Sequence, residues 1–158
     1  MAPAKKTYTV EDALAKLKKY CSYQDRCHKE VAQKLKQMQM IPQASEQIII
    51  VLIEENFLNE ERFAMAYVRG KFRIKKWGRR RLVSELKHRQ ISKYIINTAL
   101  NQISEDDYKA TFDALANRKA ASITGSSKLK EKKKLADYLL YRGWESHLVY
   151  EKVNQLFN

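Results

Sequence analysis

Cys21, Cys27 and His28 are the nearest thing to a reactive cluster in this chain of 158 residues. Their C-x5-C-H spacing fits no zinc pattern, and no further ligands cluster nearby. Buried, reduced thiols are the better reading. His88 and His147 fall in helical segments without a nucleophile and a carboxylate placed to complete a triad. The four glycines, Gly70, Gly78, Gly125 and Gly143, are isolated, so no glycine-rich loop cradles a phosphate. Glu54, Glu55, Glu60 and Glu61 bracket a helix end and a helix start, where dipole and capping account for them without catalysis. The expectation is a protein with no catalytic residues, no metal and no cofactor.

The chemistry these residues do offer is charge. Lys and Arg number 31 against 18 Asp and Glu, a net +13. Ten of the 31 lie in the 21 residues from Arg69 to Arg89, against the single acid Glu85. Arg69, Arg73 and Lys76 follow at i, i+4 and i+7 on one helical flank, and Lys71 and Lys75 share another. Arg79, Arg80 and Arg81 come after Gly78 at the first turn of a helix, the unfavourable end for cations, which costs about 0.3–1 kcal/mol each when solvated. Charge runs are usually solvated helix faces with acids at i+4, but such acids are scarce here, so an anionic partner is expected at this cluster. Trp77 can stack on a base or a guanidinium, but it fits better as a plug between two helices. A second cluster, Lys128, Lys130, Lys132, Lys133 and Lys134, reads equally well as a solvated face or a further contact. A third, from Lys16 to Lys36, is diffuse.

These residues must be positioned by helices. Two prolines and four glycines are too few for a turn-rich β fold, and 44% apolar residues are too many for a disordered basic tail. The longest apolar run, Ile48 to Ile53, is too short to cross a bilayer, and the N-terminus has no apolar signal region, so a soluble, cytoplasmic protein is expected. Apolar residues recur at helical spacing almost throughout. Thr9, Asn59 and Ser104 read as N-caps, Pro42 as a helix opener and Gly143 as a helix stop. Phe63, Tyr67, Gly70 and Ile74 form a core stripe at i, i+4, i+7 and i+11, with Gly70 placed for a close helix approach.

The thirds of the chain resemble one another. Val31, Leu82 and Leu135 each precede a leucine four residues on (Leu35, Leu86, Leu139), and then an apolar residue that opens another helix (Ile41, Ile91, Trp144). Their spacings of 51 and 53 residues predict an all-α fold of three tandem three-helix repeats. A segment at 1–9 would precede repeats at 10–58, 59–103 and 104–158. A single irregular bundle is the alternative. One such unit is too small for a full core, so neighbours must stack.

The run EENFLNEERFAMAYVRGKFRIKKWGRRRLVSELKHRQIS, Glu54 to Ser92, resembles the RecX family of bacterial recombinase regulators. The shared pattern is Leu58-Asn59, the acids Glu60-Glu61, then Arg62-Phe63-Ala64, a basic helix from Arg69 to Lys76, Gly78, and the Leu82–Leu86 helix. Upstream, Arg26, Glu30, Val31 and Leu35 resemble the first-repeat segment, with Cys27 where the family usually has Ser. The segment at 1–9 is expected to be flexible, and the resemblance implies an elongated, curved, non-catalytic array of three-helix units after it. It further implies binding to the RecA filament, inhibition of its ATPase and strand exchange, and affinity for single- or double-stranded DNA. The carried-over site is Arg69, Lys71, Arg73, Lys75, Lys76, Trp77, Gly78, Arg79, Arg80 and Arg81. A monomer suits a wedge in the filament groove. The competing reading is a helix-turn-helix-like regulator that reads base edges from Arg79–Arg81.

Overall fold

The computed structural model describes residues 7–158, so most of the segment expected at 1–9 lies outside the described residues. The described residues form nine α-helices: α1 (Val10–Tyr23), α2 (His28–Gln37), α3 (Pro42–Glu54), α4 (Glu60–Gly70), α5 (Arg79–His88), α6 (Lys93–Leu100), α7 (Glu105–Ser122), α8 (Lys128–Tyr141) and α9 (Ser146–Leu156). A π-helical turn, Lys71–Lys75, continues α4. The starts are chemically marked. Thr9 and Asp12 form a reciprocal capping box, and the side chains of Asn59, Ser92, Ser104 and Ser127 accept from the N–H three residues on.

The helices form an all-α repeat array. In each triplet the first and second helices pack on the third. The repeat is also written in the backbone. Gln39, Gln90 and Gly143 end α2, α5 and α8 with φ of 61°, 61° and 91°, at intervals of 51 and 53 residues. The next N–H in each case, from Met40, Ile91 and Trp144, donates to Leu35, Leu86 and Leu139 at 3.1, 3.1 and 3.3 Å. This is the same left-handed helix ending three times over. It corrects one equivalence: the partner of Ile91 and Trp144 is Met40, since Ile41 lies one residue later and is 63% exposed.

The core is not divided by triplet. Ala13, Leu17, Val31, Leu35, Ile48 and Leu52 make one cluster. The second and third triplets share another, which includes Val68, Leu82, Leu86, Phe112, Leu139 and Trp144. Polar contacts join the first triplet to the second. Arg62 reaches Asp25 at 2.7 Å and the carbonyls of Asn56 and Phe57, while Glu60 accepts from the His28 N–H at 3.2 Å.

Cys27 crosses that joint. It caps α2, yet it is wholly buried in the core of the second and third triplets. Both cysteines are free and buried, and burial pushes the Cys27 thiol up to about 11. The neutral thiol therefore favours the folded state below the ordinary value of 9.0, and this contribution fades as pH climbs through about 11. Cys27 is expected to resist a thiol-exchange reagent at pH 8 and to react at once in denaturant. Rapid labelling of native protein at Cys27 would contradict this burial.

The predicted stripe along α4 is revised. Phe63, Ala64, Val68 and Phe72 are buried, Tyr67 is half-buried, and Ile74 is 78% exposed. The π-helical turn is the reason. Each residue of this wider winding advances less around the axis, which swings Phe72 inward and Ile74 out. Gly70 meets no neighbour within 4 Å, so the close approach expected there does not occur. It occurs between Gly78 and Gly143 instead.

Candidate partner-binding surface

Helix α4 and its π-helical turn carry the basic cluster to the surface of the second triplet. Arg69, Arg73, Lys75 and Lys76 are exposed, and among the described residues none has a carboxylate within 4.0 Å. Arg69 only approaches the Gln102 side-chain oxygen, at 3.4 Å. The π-helical turn ends with Lys76 at φ 57°, left-handed, so Lys76 leaves the helical flank on which the spacing put it with Arg69 and Arg73. Its carbonyl is held from below by the Trp144 indole N–H at 3.1 Å.

The other predicted site residues turn toward the protein. Lys71 lies 5.5 Å from the Tyr67 ring and 5.2 Å from Trp77. Trp77 is half-buried against the shared core, with the Arg81 guanidinium 4.2 Å from its ring centroid. Arg81 also sits over Tyr141 and donates to its carbonyl at 3.2 Å. Gly78 is buried, and its N–H donates to the Arg142 carbonyl at 2.8 Å. Arg79 pairs with Glu105 at 2.7 Å and Glu145 at 3.3 Å and stacks on Tyr108 at 3.7 Å. The Arg80 side chain is exposed and, among the described residues, donates only to the Ser146 hydroxyl, at 3.2 Å, while its backbone N–H donates to the Gly143 carbonyl at 3.0 Å. The dipole cost expected at this helix start is thus met largely inside the chain: Glu105 and Glu145 are 26 and 66 residues from Arg79, beyond any i+4 reading.

Sequence reasoning missed the centre of this joint. Trp144 is fully buried among Tyr108, Phe112 and Phe72, with ring centroids at 4.6, 5.2 and 6.4 Å. The Tyr108 hydroxyl accepts from the Arg79 N–H and donates to Glu145. Burial pushes the Tyr108 phenol well above its ordinary range; the Arg79 N–H opposes this and Glu145 adds to it. The signal was available in the repeat, because the plug at the second–third joint is the residue after the left-handed turn, Trp144, more than Trp77.

The charge divides unevenly. Residues 59–103 hold 12 Lys and Arg against three acids, while residues 10–58 hold seven of each. In the second lysine cluster, Lys133 pairs with Asp137 at 2.6 Å, and that hydrogen bond raises the lysine's pKa. The side chains of Lys128, Lys132 and Lys134 donate to Asn158, Asn154 and Thr124, and that of Lys130 has no such contact among the described residues. Among the described residues no group of three His, Cys, Asp or Glu could hold a metal, and no helix is long and apolar enough to cross a membrane. The surface can bind through charge and packing.

Two family models match consecutive triplets: the second three-helix domain of RecX over residues 59–100, and the third over residues 105–153. The regulatory protein RecX of Yersinia enterocolitica is 33% identical over 117 residues, 74% of this chain and 66% of that protein. That of Yersinia pseudotuberculosis is 38% identical over 103 residues, 65% of this chain and 55% of its own length. That of Lactobacillus johnsonii is 32% identical over 104 residues, 66% of this chain but 38% of its own length. The chain thus spans less than two-thirds of these relatives. The crystal structure of RecX from Lactobacillus salivarius superposes with a TM-score of 0.78 at 23% identity, covering 93% of this chain and 96% of that one, a likeness of fold. With both domain models in register with the helix triplets and these relatives alongside, the chain belongs to the RecX family of regulatory proteins.

Proposed function

We propose that this protein is a non-catalytic regulator that binds the RecA–DNA filament in the cytoplasm and inhibits its ATPase and strand exchange, so restraining recombination and DNA repair. The observation that supports this most is the exposed crest of Arg69, Arg73, Lys75 and Lys76, which has no carboxylate partner among the described residues. A positive array lying in the filament groove meets acidic protein surface and DNA phosphate together. It bridges neighbouring recombinase subunits and blocks filament growth or the entry of duplex. A monomer suits this wedge. The lysines from Lys128 to Lys134 extend the same charge along the array.

A free-standing helix-turn-helix factor is less well supported. It would read bases from the first turn of α5, where Arg79 and Arg81 are already engaged with Glu105, Glu145, Trp77 and Tyr141. Strong sequence preference on random duplexes would favour the factor over the filament regulator.

The test is a titration of RecA ATPase on single-stranded DNA at two salt concentrations. Inhibition by the wild type should weaken as salt rises. If about six cations meet phosphates on duplex DNA, affinity for it falls with a log–log slope near −5. Replacing Arg69, Arg73 and Lys76 with Ala should raise the half-inhibiting concentration about tenfold, equivalent to about 1.4 kcal/mol. Helicity and melting should not move, since these side chains are exposed. Full inhibition by the triple variant would remove the crest from the mechanism.

A further inference from the structure

Ile74 is the most conspicuous residue that the charge argument leaves over. It is 78% exposed and stands in the middle of the crest, between Arg73 and Lys75. A single exposed isoleucine is ordinary on a protein surface. This one is exposed by a specific backbone device, since a regular helix would carry it on the flank of Phe63 and Tyr67, and the π-helical turn rotates it away. Such turns are uncommon, and they recur at functional sites.

We propose that Ile74 is the apolar anchor of a protein-binding surface, and that the crest docks on an acidic protein surface with an apolar pocket at its centre. The inference rests on the filament-binding reading and specifies which component of the filament the crest meets. Phosphodiester backbone has nothing to gain from an sec-butyl group held among four cations. A protein pocket rimmed by carboxylates gains both ways: desolvation of the isoleucine at the centre and ion pairs to Arg69, Arg73, Lys75 and Lys76 at the rim. That is the arrangement in which a few central residues carry most of the binding energy and the rim charges set rate and orientation. The surface beyond Lys76 has the same character. A groove on α7, lined by Ala110, Thr111, Ala114 and Leu115 together with Lys76 and Arg118, has no carboxylate in its lining. DNA contact then falls to other cations, such as Arg80 and the lysines of α8.

The experiment compares wild type with Ile74→Ser and Ile74→Leu. One arm is RecA ATPase inhibition on single-stranded DNA; the other is duplex DNA affinity without recombinase. Ile74→Ser is expected to raise the half-inhibiting concentration about tenfold while leaving duplex affinity within about twofold, and Ile74→Leu to restore inhibition. Because the residue is exposed, melting should be unchanged in both variants. If the wild type inhibits and Ile74→Ser inhibits equally, the anchor is overturned while the filament reading stands. Parallel loss of both affinities would make the crest a nucleic-acid surface and would also overturn it. A wild type that leaves the ATPase untouched removes the filament reading and this inference with it.

Discussion

Gly143→Ala should destabilise the protein by about 3 kcal/mol, through left-handed backbone strain and overpacking together. Gly143 has φ of 91°, a conformation that L residues rarely adopt. A methyl added there would lie 2.3 Å from the Arg81 backbone nitrogen and 2.3 Å from its Cβ. Neither atom is the far end of a flexible chain, so the strain cannot be relieved by a rotamer change. The facing glycine is equally constrained: a Cβ on Gly78 would meet the Gly143 carbonyl oxygen at 2.5 Å and the Trp144 Cα at 2.7 Å. Both substitutions separate α5 from the turn after α8, and with that separation go the bonds from Gly78 N–H to Arg142 and from Arg80 N–H to Gly143, at 2.8 and 3.0 Å. For a chain of this size the expected fall in melting temperature is about 6–12 °C. Gly70→Ala is the contrasting case. It lies in helical backbone with open space around its Cβ, and the substitution should be neutral or stabilising by up to about 1 kcal/mol. Urea unfolding of the three variants checks the set; equal midpoints for Gly70→Ala and Gly143→Ala would refute the account of the joint.

The helix boundaries were legible because they are local. Thr9, Asn59 and Ser104 advertise starts through their own side chains, Pro42 through its missing donor, and Gly143 through its conformational freedom. The threefold repeat was legible because the pattern of Val31-Leu35, Leu82-Leu86 and Leu135-Leu139 recurs at 51 and 53 residues, the same intervals at which the left-handed helix endings fall. What periodicity could not show is a change of winding. The stripe from Phe63 to Ile74 assumes one pitch throughout, and the π-helical turn breaks that assumption at Lys71, which exposes Ile74 and removes Lys76 from its flank. Nor could spacing show ion pairs made across the joint. Arg79 looks unpartnered in its own helix because Glu105 and Glu145 arrive from α7 and the start of α9. The basic cluster was therefore visible as a composition, while its division into a crest and a joint depended on tertiary contacts.

The joint and the crest are mechanically one structure, and Trp144 is where they meet. Trp144→Ala should cost about 3–5 kcal/mol, the range for removing a fully buried aromatic side chain. The cavity would open among Tyr108, Phe112 and Phe72 and would be shared by two triplets, so collapse on one side strains the other. Trp144→Phe separates packing from hydrogen bonding. The smaller ring retains much of the aromatic cluster but cannot donate, and the Lys76 carbonyl loses its partner at 3.1 Å, a net loss of about 0.5–1.5 kcal/mol for a part-buried hydrogen bond. That carbonyl belongs to the left-handed residue that ends the π-helical turn and turns Lys76 outward. With the bond gone, the turn can rewind toward a regular helix, which would draw Ile74 back toward the core and swing Lys76 off the crest. Trp144→Phe is accordingly expected to lose filament inhibition at a temperature where it is still fully folded, whereas Gly70→Ala, on the helix that leads into the crest but away from the joint, keeps it. If Trp144→Phe inhibits like the wild type, the indole bond to Lys76 serves stability alone and the crest keeps its shape without it.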